Sequence, residues 1–86
     1  MVTRMLSEKN IIAECPQGIF ILDELKHGKH YYSVMLDDGV AAICDSCYSD
    51  LSIANERFEY IASKRKTTQD VITMANSIKR FSKMSC

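Results

Sequence analysis

A chain of 86 residues, 47% hydrophobic and 26% charged, is sized for one small folded domain spanning residues 1–86, because a second core would bury too little surface to hold itself together. That composition excludes a disordered chain, and the longest apolar run, residues 39–44, excludes a membrane helix, which needs about 20 apolar residues. The net charge is zero but divided, with −5 over residues 1–56 and +5 over residues 57–86, so either half could present a charged face to a partner of opposite sign.

The first nine residues hold no apolar stretch of signal-peptide length, which makes a cytoplasmic location with reduced cysteines the expectation. Asn10–Glu14 reads as a strand or a single helical turn, and Pro16-Gln17-Gly18 interrupts it. The apolar run from Ile19 leads to His27-Gly28, and a second β-prone run follows from Lys29 to Leu36. A two-residue turn between such runs predicts a hairpin, with Gly28 supplying positive φ. Asp38-Gly39 predicts a second hairpin through a type I′ turn into Val40–Cys44. Two-residue turns at both points set Leu36 opposite Ile19 and Ala41, and Val34 opposite Ile21 and Ile43. One sheet face then carries Ile19, Ile21, Leu25, Val34, Leu36, Ala41 and Ile43, and reads as core. The other carries Phe20, Leu22, Tyr31, Ser33, Met35, Ala42 and Cys44, and is too apolar to face water unaided.

Residues 50–62 fit two patterns. Leu51, Ala54, Phe58 and Ile61 recur at helical spacing, whereas Phe58 and Tyr60 alternate as a strand does. The expectation adopted is a short segment near 50–55 and a fourth strand at 57–62. Thr67-Thr68-Gln69-Asp70 has the form of a capping box, and Val71, Met74, Ala75, Ile78 and Phe81 make one apolar stripe. Together they predict an amphipathic helix over about 68–83. The fold expected is therefore α+β, a three- to four-stranded antiparallel meander sheet with the C-terminal helix packed on one face.

Four kinds of site are written in the residues. His27, His30, Cys44 and Cys47 form H-x2-H and C-x2-C pairs that could hold tetrahedral zinc, provided the third strand runs on so that Cys47 meets His30. The same two cysteines have the spacing of a redox pair, but a thioredoxin-like site needs a further sheet half and a proline beyond the motif, and only 39 residues follow Cys47 with the sole proline, Pro16, upstream. Lys64, Arg65 and Lys66, with Lys79, Arg80 and Lys83, could contact phosphates, with Tyr31, Tyr32 and Tyr60 as stacking platforms. Phe20, Tyr31 and Met35 on the second sheet face are anchors of interface type, near an acidic rim that includes Asp37 and Asp38. No phosphate loop, Ser-His-Asp set or H-E-x-x-H motif occurs, and adjacent Asp37 and Asp38 point apart, so an enzyme is not expected. The leading expectation is a small non-catalytic cytoplasmic regulator or inhibitor that binds another protein. That partner could be a basic or nucleic-acid-handling one, and the chain an accessory protein of a bacterium or its virus. A nucleic-acid-binding module and a zinc-stabilised adaptor are the alternatives, no other cofactor is implied, and the apolar second face would also suit a homodimer.

Overall fold

Turn chemistry and β-branched runs build a four-stranded antiparallel meander. Its strands β1 (Glu8–Cys15), β2 (Ile19–Lys26), β3 (Lys29–Asp37) and β4 (Ala42–Tyr48) lie side by side in chain order. Two helices follow, α1 (Leu51–Lys64) and α2 (Thr68–Phe81), giving the α+β class read from the sequence. The computed structural model describes residues 8–81; Lys83 lies outside the described residues, as do the side chains of Glu8 and Phe81.

The central hairpin has the register expected, with Ile19 opposite Leu36, Ile21 opposite Val34 and Lys26 opposite Lys29. His27 joins Gly28 in the left-handed region, at φ 52° and 78°, as a type I′ turn requires at both central positions. The next connection differs from expectation. Asp37 pairs with Ala42, leaving a four-residue loop over residues 38–41 in place of a two-residue turn. The Asp38 carboxylate causes this, because its Oδ1 accepts from the backbone N–H groups of Val40 and Ala41, both at 2.8 Å. An Asx-type loop of this kind competes with the tighter turn that Asp-Gly otherwise favours. Leu36 therefore faces Ile43 rather than Ala41, and Ala41 leaves the sheet. The slip is two residues, so Ile43 keeps its face.

Pro16-Gln17-Gly18 proves to be a hairpin turn rather than a break. Gly18 N donates to Cys15 O at 3.1 Å, and Gly18 takes φ 108°. A Cβ at that glycine would sit 3.2 Å from the Cβ of Asp37, so its backbone angle and its neighbour both favour glycine.

The fourth strand expected at 57–62 is instead part of α1. Asp50 caps the helix, accepting from Ser52 N at 2.9 Å, and no glycine or proline interrupts residues 51–64. Ala54 and Ile61 are buried and Phe58 packs beside them, so the helical spacing prevailed over the two-residue alternation. Tyr60, which carried that alternation, is 55% exposed. At the far end, Gln17 Nε2 donates to Arg65 O at 3.2 Å and to Ala62 O at 3.5 Å, satisfying carbonyls that the helix end leaves over. The capping box of α2 forms reciprocally: Asp70 N donates to Thr67 Oγ1 at 3.1 Å, and Thr67 N donates to Asp70 Oδ2 at 3.3 Å.

The core lies between one sheet face and both helices. Ile19, Ile21, Val34 and Leu36 meet Ala54 and Ile61 of α1 and Val71 and Ala75 of α2, with Met74 and Ile78 half-buried beside them. At about 1.5–3 kcal/mol for each large aliphatic side chain removed from water, this cluster is the main source of stability.

Candidate functional site

Because both helices occupy one side, the opposite sheet face has no helix laid over it among the described residues. Alternation along the strands and the pairing across them put Phe20 and Leu22 of β2, Tyr31, Ser33 and Met35 of β3, and Ile11 of β1 on that face. Phe20 lies directly opposite Met35, Leu22 opposite Ser33 and Ile11 opposite Leu22, so the apolar groups form adjoining rows. Neighbouring strands shade most of them to half-buried, while Ile11 is 54% exposed. Phe20, Tyr31 and Met35 are thus brought together where the sequence reading put them. Ile11 was missed, since residues 10–14 gave too short a pattern to assign a strand.

A bulge in β4 decides the rest of this face. Val34 pairs with Ser46 and Met35 with Cys44, which leaves Asp45 as the extra residue. A bulged residue and its successor point to the same side. Asp45 consequently turns toward the helices, where Arg57 of α1 donates to it through Nε at 2.8 Å and a terminal nitrogen at 3.0 Å. Burial alone would raise the Asp45 carboxyl; hydrogen bonds from Arg57 and Ser46 and the charge of Arg57 outweigh it and hold the group below the ordinary carboxylate range. The same contact pushes Arg57 further up. The bulge also puts both Cys44 and Cys47 on the uncovered face, which an uninterrupted strand could not do at that spacing.

The zinc arrangement does not assemble. Cys47 pairs with Ser33, not His30, and His30 lies on the helix side of the sheet. There its Nδ1 is 2.8 Å from Asp23 Oδ1, and its ring stacks on Tyr32 with centroids 6.1 Å apart. His27 sits in the turn. Among the described residues no three His, Cys, Asp or Glu side chains gather as a metal-binding group.

The acidic rim is smaller than composition suggests. The Asp38 side chain is only 4% exposed and also receives Lys79 Nζ at 2.8 Å; that bond first, then the Ala41 and Val40 amides, holds its carboxyl well below the usual carboxylate range. Asp37 remains exposed, with Oδ1 accepting from Gly39 N. Parity along the strands sets Lys9, Lys26 and Lys29 at the end of the uncovered face beside the β2–β3 turn, with Glu24 among them 3.8 Å from Lys26 Nζ, and Glu14 and Asp37 at the other end.

The basic candidates divide. Lys79 is committed to Asp38 at one end of α2, with Arg80 exposed beside it. Lys64, Arg65 and Lys66 cluster at the α1–α2 junction on the helix layer, away from the uncovered face, and no carboxylate pairs with them among the described residues. Tyr60 stands beside them, with Arg57 Cζ 5.7 Å and Lys64 Nζ 5.6 Å from its ring centroid. Tyr31 and Tyr32, the other stacking candidates, lie on opposite faces of β3 and do not join this cluster. No helix among the described residues is long and apolar enough to cross a membrane. Comparison of the chain with protein-family models, characterised proteins and solved structures finds no match.

Proposed function

We propose that the protein is a small non-catalytic regulator that binds another protein through the uncovered face of its sheet. The observation that carries this reading is the one-sided placement of both helices, which leaves Ile11, Phe20, Leu22, Tyr31 and Met35 in adjoining rows on the other side. Aromatic and methionine side chains of this kind are enriched in interface cores. Four strands about 4.8 Å apart and some six residues of rise give a face on the order of 400 Å². That is about half of what each partner contributes to an interface of standard size, so the rim takes part. With three lysines around Glu24 at one end and Glu14 and Asp37 at the other, the face suits a partner whose own net charge runs in the opposite sense, which sets orientation as well as affinity.

The test is capture of binding partners from the source cell by the wild-type protein and by Met35→Asp, alongside the mass in solution. A charge in the middle of the face, over which no helix of the described residues packs, is expected to abolish capture and to cost only about 1 kcal/mol of stability. If both forms retain the same proteins, the uncovered face is not the binding surface. A dimeric mass that Met35→Asp converts to a monomer would assign the face to a second copy of this chain instead.

A further inference from the structure

On the far side of the molecule, the helices border an open cleft of about 550 Å³ lined by Arg57, Tyr60, Ile61, Lys64, Arg65 and Met74. Its size falls within the ~300–1,000 Å³ typical of ligand sites. Ile61 and Met74 give it an apolar floor, and the walls are cationic. The three cations are not equivalent. Arg57 is already neutralised by Asp45 and acts as a fixed wall, whereas Lys64 and Arg65 have no carboxylate partner among the described residues. Tyr60, 55% exposed, divides this cleft from a shallower one lined by Ser52, Asn55, Glu56 and Glu59. One edge of the ring is therefore basic and the other acidic.

We propose that this cleft binds single-stranded nucleic acid, with a base against Tyr60 and the adjoining phosphates on Lys64 and Arg65. The exposed ring has Lys64 Nζ 5.6 Å from its centroid, and both Lys64 and Arg65 are free of carboxylate partners among the described residues. Once the Lys64 ammonium moves from the ring to a phosphate, they supply both halves of such recognition: a π-face for a base and charge for the backbone. An acidic peptide would use the cations and leave the ring idle. The acidic side orients the strand: phosphates are repelled from Glu56 and Glu59 and run along Lys64 and Arg65, while exocyclic amino groups of the base meet acceptors on the other side. The site is separate from the sheet face, so this inference does not depend on the proposed protein partner.

The test is fluorescence anisotropy with the full chain and a labelled unstructured RNA of about 12 nucleotides, with a matching single-stranded DNA and polyglutamate as further arms, at about 50 and about 200 mM salt. Tyr60→Ala is expected to weaken RNA binding about 5- to 160-fold, the range for loss of one stacked base. Lys64→Ala with Arg65→Ala is expected to weaken it further and to reduce the salt slope by about 1.4, at about 0.7 per phosphate contact. Arg80→Ala, exposed at the other end of α2, serves as the control for diffuse attraction, and Met35→Asp is expected to bind RNA as the wild type does. Absence of binding at the lower salt overturns the proposal, as does unchanged affinity of Tyr60→Ala. Equal losses from Arg80→Ala and the double variant, or polyglutamate binding with the same Tyr60 dependence, overturn it as well.

Discussion

The contact between Asp45 and Arg57 joins the edge strand β4 to α1, and removing it tests the account of the bulge. The Asp45 side chain is 5% exposed and that of Arg57 34%, so the pair lies between a surface ion pair, worth about 0–1 kcal/mol, and a buried one, whose one-sided removal costs about 3–5 kcal/mol. Arg57→Ala leaves a shielded carboxylate with only the Ser46 hydroxyl, at 2.7 Å, and a loss of about 2 kcal/mol is expected. For a domain of this size that is a fall of roughly 8–16 °C in melting temperature. Asp45→Asn keeps the shape without the charge, so the cycle of two single variants and the double variant in urea isolates the pair, with about 1–2 kcal/mol of coupling expected. The pH dependence has a defined sign. The folded-state carboxyl lies below its unfolded value, so the contribution is complete above about pH 4 and is lost as the pH falls through the folded value. The wild type and Arg57→Ala are thus expected to converge in stability in acid. Coupling below about 0.3 kcal/mol at neutral pH, or a gap that persists in acid, would refute the claim that this pair anchors the bulge.

Three further outcomes follow from the fold. Thr67→Ala removes the acceptor for the Asp70 amide and is expected to cost about 1 kcal/mol, read by thermal melting, with the loss concentrated in α2 by hydrogen exchange. His27→Asn puts a residue more tolerant of positive φ into the type I′ turn and is expected to raise stability by up to about 1 kcal/mol in the same melt. Leu36→Ala opens a cavity in the fully buried cluster and should cost about 2–5 kcal/mol in urea unfolding, well beyond Met35→Asp one residue away on the uncovered face.

Much of the fold is local and was readable in the chain. His27-Gly28 sets the central hairpin because positive φ at two successive residues is a property of those residues, and the two-residue period then assigns Ile19, Ile21, Val34 and Leu36 to one face. The α2 cap and stripe are equally local. The apolar second face follows from the same parity, which sets Phe20, Tyr31 and Met35 on one side of the sheet. What needed tertiary structure were the choices between patterns of similar local strength. Residues 57–62 can alternate as a strand or wind as a helix, and the place for Ala54, Phe58 and Ile61 above the sheet chose the helix. Asp-Gly favours a tight turn, yet Lys79, far along the chain, and two amides draw Asp38 into a wider loop. The Asp45 side chain that the bulge turns toward the helices meets an arginine twelve residues later. That bulge turned C-x2-C from a metal motif into two side chains on one sheet face, with His30 on the other. Spacing along a chain states which residues can meet; the strand register and the helix that packs on it decide which side of the sheet they meet on.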